Sequence, residues 1–210
     1  MVIKMKIHTF IVGVFQTNSY IISSDKRNAL VIDPGGEGEK LLQFLKETNL
    51  CLKKILLTHG HYDHTGSADF LRKNTGAEIF INEKDKILLS DGSINAAQLV
   101  PAIKYQPFAA DFYINDKDEI ILDEITFKVK VTPGHTAGSV VFIDEENRVI
   151  FSGDTLFHGT VGRTDLYSGN YNDIIESVKS LSKLTGDYKI LAGHGEQTTL
   201  NTERRINPYI

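Results

Sequence analysis

Thr58-His59-Gly60-His61-Tyr62-Asp63-His64-Thr65-Gly66 packs three of the chain's seven histidines and an aspartate into one short stretch. Neutral imidazole nitrogens and carboxylate oxygens together suit zinc or a similar first-row divalent ion. His59 and His61 are two residues apart, so they share one side of an extended segment. Asp63 and His64 follow as the chain turns toward a helix, and so point elsewhere. One compact stretch of this kind can serve two adjacent ions.

Three further ligand types stand in similar settings. His135 lies in Thr132-Pro133-Gly134-His135-Thr136-Ala137-Gly138, Asp154 in Ser152-Gly153-Asp154-Thr155, and His194 in Gly193-His194-Gly195. Each follows an apolar run and is preceded by glycine, which lets the backbone turn sharply and lets a ligand or second strand come close. Strands ending side by side would bring His59, His61, Asp63, His64, His135, Asp154 and His194 to one rim. The pattern predicts a binuclear site in which Asp154 is a carboxylate able to bridge. A lone histidine at a strand end is more often a packing or surface residue, and His8 and His158 are read that way. Packing alone is a poor account of five histidines in one strand–turn setting, four of them beside glycine.

The elements that must position these residues are legible in outline. Ile3 to Val14, Ser19 to Ser23 and Ala29 to Ile32 alternate or run apolar as strands. Asp33-Pro34-Gly35-Gly36 ends the third sharply, because proline fixes φ and glycine permits positive φ. A helix is expected over about Glu37 to Thr48, a strand over Lys53 to Leu57, and a helix over Thr65 to Asn74 closed by Gly76. Ala77 to Ile81 reads as a strand and Glu83 to Leu89 as a short helix. Residues 90–117, punctuated by Gly92, Pro101 and Pro107, read as a mobile loop over a pocket.

The second half repeats the strand-rich character, with Ile120 to Leu122, Thr126 to Thr132, Ser139 to Ile143, Arg148 to Phe151 and Tyr188 to Ala192. Asn170 to Leu184 is the clearest helix, with Tyr171, Ile174, Ile175, Val178 and Leu181 on one face. Thr202 to Ile206 forms a last helical turn. Two strand-rich halves, each with helices, predict two packed sheets with helices outside, within one domain over residues 1–210.

The totals exclude several classes. A length of 210 residues allows one sizeable core, and 41% hydrophobic with 24% charged residues is an ordinary globular composition. A formal charge of −4 gives no basic footprint for nucleic acid. No apolar run approaches the ~20 residues of a membrane helix, and the N-terminus does not read as a signal peptide. Cys51 is the single cysteine, so no internal disulfide or cysteine-rich zinc site is possible, and it is read as an inert packing residue. The expectation is a cytoplasmic protein with a small-molecule substrate and no nucleic-acid or membrane partner. The oligomeric state is not specified.

His59-x-His61-x-Asp63-His64, with His135, Asp154 and His194 at later strand ends, resembles the metallo-β-lactamase fold superfamily. The resemblance implies an α/β (α+β) chain folded as a four-layer αββα sandwich. It implies one metal on His59, His61 and His135, a second on Asp63, His64 and His194, and Asp154 between them. Aspartate at the bridging position sets the chain apart from the true zinc β-lactamases, which carry cysteine or a different residue there. Gly153-Asp154-Thr155-Leu156-Phe157, Gly162-Arg163-Thr164-Asp165-Leu166 and the tail from Thr199 to Pro208 resemble the glyoxalase II-like branch. Full-length glyoxalase II enzymes add a C-terminal helical domain that grips glutathione. Only about sixteen residues follow His194, so a short member is expected, with the thiol left open.

The implied chemistry is thioester hydrolysis by a hydroxide bridging two divalent ions, zinc first, with iron or manganese as alternatives. Asp63 is the ligand placed to hold the nucleophile's orientation and proton. Arg163 and Asp165 are expected to pair and brace their loop. Tyr62 either lines the pocket or packs, and Tyr167 is a weaker pocket candidate. No serine or cysteine nucleophile stands in an elbow setting. Two rivals remain: a persulfide dioxygenase with one iron on His59, His135 and Asp154, and another ester or lactone hydrolase of the same fold.

Overall fold

The computed structural model describes residues 5–100 and 103–210. Ile3 and Lys4, expected to begin the first strand, and Pro101 lie outside them. The first half contains β1 (Lys6–Val12), β2 (Thr17–Ser23), β3 (Asn28–Ile32), α1 (Gly38–Glu47), β4 (Cys51–Leu56), α2 (Tyr62–Thr65), α3 (Ala68–Thr75), β5 (Glu78–Asn82), α4 (Lys86–Ser90) and β6 (Phe112–Ile114). Its strands form one sheet in sequence order, β1 to β6. The second half contains β7 (Glu119–Leu122), β8 (Ile125–Val131), β9 (Val140–Asp144), β10 (Val149–Gly153), β11 (Leu156–Phe157), β12 (Thr160–Val161), α5 (Tyr171–Ser182), β13 (Lys189–Ala192), β14 (Thr198–Thr199) and α6 (Leu200–Ile206). The second sheet is ordered β14-β13-β10-β9-β8-β7, and β11 pairs with β12 in a small ribbon.

The two-residue period of each strand sorts its side chains between layers. In the first sheet Tyr20, Ile22, Leu30, Ile32 and Leu56 meet Phe127, Val140, Phe142 and Phe151 of the second in a shared core. Their sequence neighbours Ile21, Ala29, Val31 and Ile55 face the other way, onto Leu41 and Leu45 of α1 and Leu71 of α3. In the second sheet Val141, Ile143, Ile150 and Ile190 face Val178 and Leu181 of α5 and Leu200 of α6. Three cores separate four layers, helix, sheet, sheet and helix. The central strands are buried on both faces, which is why they read as continuous apolar runs rather than strict alternations.

Strand direction places the site. β3, β4 and β5 run parallel, so Ile32 and Leu56 deliver the segments that follow them to one rim. β10 runs parallel to β13 and antiparallel to β9, and β9 is antiparallel to β8. The chain therefore leaves β8, β10 and β13 at a common edge as well.

Several local expectations are corrected. The helix expected over Thr65 to Asn74 is α3, which starts only at Ala68; Thr65 closes the separate short helix α2, and Gly66 and Ser67 turn between the two. Residues 90–117 include a 3₁₀ turn at Ala97–Leu99 and the edge strand β6, whose Phe112 stacks on Phe80 at 4.9 Å. Three residues are too short a run to announce a strand, and pairing with β5 makes it one. Tyr171 is exposed at the start of α5, and Ser177 takes its place on the buried face. Cys51 is exposed at the first position of β4 rather than packed.

Candidate metal centre

All seven candidate ligands converge. His59 and His61 lie in the turn after β4, Asp63 and His64 in α2, His135 after β8, Asp154 after β10 and His194 after β13. Three sets place their potential ligand atoms within 4.8 Å of one another: His59, His61 and His135; His59, His64 and Asp154; and Asp63, His64 and His194. Asp154 touches both ends of the cluster, with Oδ2 3.5 Å from His135 Nε2 and 3.6 Å from His194 Nε2. His8 packs against Phe44 with its ring tilted and His158 is exposed, and neither belongs to these sets.

The outward nitrogens fix which inward atoms carry lone pairs. His135 Nδ1 donates to the Arg163 carbonyl at 2.7 Å, and His194 Nδ1 donates to the Phe15 carbonyl at 3.1 Å. His64 Nδ1 donates to Asp33 Oδ2 at 2.9 Å. Thr58 Oγ1 donates to the same oxygen at 2.7 Å and accepts from His59 Nδ1 at 3.1 Å. Carbonyls and carboxylates only accept, so Nδ1 carries the proton in each ring and Nε2 turns inward as a potential ligand. Metal-binding histidines are tied in this way by their second nitrogen.

The electrostatics are those of a cation site. Burial first, and neighbouring imidazoles second, hold His59 well below its ordinary value and bring His61 down to about 3. Burial opposes the charge on His64, but Asp154, Asp63 and Asp33 outweigh it and raise that ring well above its ordinary value. His194 is raised against burial by its bond to Asp63 and the charge of Asp154. Burial would raise Asp63 and Asp154, yet His64 above all holds both below the usual carboxylate range. The carboxylates around His64 and His194 thus favour positive charge at this end of the cluster.

Divalent ions fit this set. His59 Nε2, His61 Nε2 and Asp154 Oδ1 are buried without a hydrogen-bond partner, a costly state that a shared cation relieves for His59 and Asp154. Two glycines make the approach possible. Gly153 has φ +48, and a Cβ on Gly193 would stand 2.2 Å from Asp154 Oδ1 and 2.6 Å from His64 Cε1. The cluster opens into a cavity of ≈ 390 Å³ walled by Phe15, Ala96, Leu99, Phe157, Arg163 and Leu166.

The weaker candidates separate. Arg163 and Asp165 form a bidentate pair at 2.6 and 2.7 Å on the exposed loop, while the Arg163 carbonyl holds His135. Tyr62 packs edge-on against Tyr105 rather than lining the cavity, and Tyr167 is exposed outside its wall. Three supports escaped the sequence reading. Asp33 follows β3 as the other carboxylate follows its strand, so the same strand-end signal marks it. Asp85 gives no such signal, yet its buried carboxylate accepts from Gly60 N, Gly138 N and Thr136 Oγ1 at 2.7–2.8 Å. It joins the loop of His59 and His61 to that of His135. Asn18 braces His194 by donating to the carbonyls of Ala192 and Gly195 at 3.0 Å.

Comparison with known proteins agrees with this geometry. The chain is 43% identical over 209 residues to a hydroxyacylglutathione hydrolase, GloC, of Haemophilus influenzae, covering 98% of each chain. Among solved structures, the BLEG-1 B3 metallo-β-lactamase is 32% identical with a TM-score of 0.92, covering 97% of this chain and 99% of that one. The protein TTHA1623, in a di-iron-bound form, is 34% identical with a TM-score of 0.86, covering 97% and 100%. The metallo-β-lactamase superfamily model matches residues 12–194, from the end of β1 to the last of the clustered histidines. With the αββα layers and the strand-end histidines and aspartates already in place, this chain belongs to the metallo-β-lactamase superfamily and is one of its metallo-hydrolases.

Proposed function

We propose that the chain is a binuclear metal-dependent thioester hydrolase, with His59, His61 and His135 holding one ion, Asp63, His64 and His194 the other, and Asp154 between them. The observation that carries this is Asp154, whose one oxygen lies at similar distances from a histidine of each set. The GloC relative's name supports the reaction class. Zinc is the first candidate metal, and the di-iron form of TTHA1623 gives iron a precedent in a similar chain.

Two divalent ions bound there supply an acidified water and a Lewis acid for the substrate carbonyl. The chain's own contribution is placement and proton handling. Asp63, held ionised beside His64 and accepting from Thr17 Oγ1 at 3.2 Å, accepts the proton that the attacking water sheds. The new C–O bond forms at the acyl carbon and the C–S bond breaks; the proton held by Asp63 passes to the departing sulfur, giving the thiol, and the acid product loses its own proton to solvent as a carboxylate. Asp33, Thr58 and the Arg163 carbonyl keep the rings aimed throughout.

Metal analysis of purified protein, paired with a panel of thioesters, esters, lactones and a β-lactam, tests the reading. Two ions per chain and metal-dependent thioester turnover are expected. One iron per chain with oxygen uptake on glutathione persulfide would replace it with the dioxygenase reading. A second reading, β-lactam hydrolysis, is favoured by the likeness to BLEG-1, and the aspartate at position 154 counts against it. Nitrocefin turnover exceeding that of every thioester would reverse the order.

A further inference from the structure

The cavity wall beyond the ligands is almost wholly apolar. Phe15 comes from the β1–β2 connection, Leu99 from the 3₁₀ turn, Phe157 from β11 and Leu166 from the loop after β12. Phe15 is 39% and Leu99 51% exposed, so two large apolar side chains from separate loops face water at the mouth. Covering such surface favours binding of an apolar group. Among the described residues lining the cavity Arg163 is the one Arg or Lys, and its Nε and one Nη2 hydrogen are given to Asp165, which leaves Nη1 as its remaining edge. Beyond the metal ligands, a ligand with several ionised ends finds only the remaining edge of that one guanidinium to pair with.

From this we infer that the site takes a thioester whose acyl or thiol portion is an uncharged apolar group, gripped by Phe15, Leu99, Phe157 and Leu166. The inference rests on the thioester reading above. Glutathione, with two carboxylates and an ammonium, is on this basis a poorer thiol than an apolar one.

The test is a matrix of four substrates given to the metal-loaded full chain: lactoyl and hexanoyl thioesters, each of glutathione and of benzyl mercaptan. A rise in kcat/KM of about tenfold or more is expected on changing lactoyl to hexanoyl, glutathione to benzyl mercaptan, or both, since each added methylene in an apolar pocket counts strongly. Which change produces the rise identifies the end that the wall holds. Leu99→Ser and Phe15→Ser should cut that preference about fivefold, read as a ratio of two substrates within each preparation and so insensitive to the fraction folded. S-lactoylglutathione as the best of the four, or a ratio unmoved by both substitutions, overturns the inference while thioester hydrolysis stands. No turnover of any of the four by folded, metal-loaded protein overturns the thioester reading and the inference with it.

Discussion

His64 and Asp33 face each other at 2.9 Å, Nδ1 to Oδ2, with both side chains almost fully excluded from solvent. Asp33 sits at φ 51 immediately after β3, a left-handed conformation that aspartate tolerates better than most residues. Its other oxygen accepts from Thr58 N at 2.8 Å. One carboxylate thus fixes the ring of His64 directly and that of His59 through Thr58, on both sides of the centre.

Asp33→Asn should therefore weaken metal binding about 10–100-fold, the usual cost of losing a partner behind a ligand. Chelator competition measures this, with circular dichroism as the check on folding. Unchanged affinity for both ions would remove Asp33 from the site's support.

Asp85 predicts a stability effect. Asp85→Ala leaves the Gly60 and Gly138 amides buried without their acceptor, while the Thr136 hydroxyl keeps Ser139 Oγ at 2.8 Å. At roughly 1–3 kcal/mol for each stranded group, a loss of about 2 kcal/mol or more is expected. Urea unfolding of the metal-free protein reads it as a fall in midpoint at constant m-value.

Gly193 admits no side chain. The Cβ of Gly193→Ala would meet Asp154 Oδ1 at 2.2 Å, forcing the carboxylate between the two histidine sets to move. A displacement of that order costs about 100-fold in rate. The expected signature is reduced metal stoichiometry together with lost turnover; full occupancy at normal turnover would contradict the assignment of Asp154.

The metal-free protein should be most stable near pH 6.5. In the unfolded chain all four rings titrate near the ordinary 6.5. Below that value the unfolded state binds more protons, because folded His59 and His61 stay neutral down to about 3 for His61, so stability rises with pH. Above it the folded state keeps protons on His64 and His194 that the unfolded chain has shed, so stability falls. Divalent ions replace those protons and should abolish the alkaline fall. Melting temperatures with chelator and with zinc, from about pH 5 to about pH 8, measure both limbs. A chelated protein whose stability climbs steadily across that range would refute the charge assignment.

Much of the centre was legible because metal ligation confines chemistry to few residue types. Histidine and aspartate after apolar runs announce themselves, and the two-residue spacing of His59 and His61 records a local backbone geometry. Strand and helix periods likewise marked most elements, since burial on one or both faces is written in the side chains. What the sequence by itself determined is thus the candidate ligand types, their strand-end positions and the two-sheet layering. Tertiary structure alone decided the rest, because the deciding contacts join residues far apart in the chain. Asp85 reaches Gly60 and Gly138, β6 becomes a strand only beside β5, and the cavity wall gathers Phe15, Leu99, Phe157 and Leu166 from four segments. No local period encodes such meetings; they exist only once packing of the sheets has brought the loops of both halves to one rim.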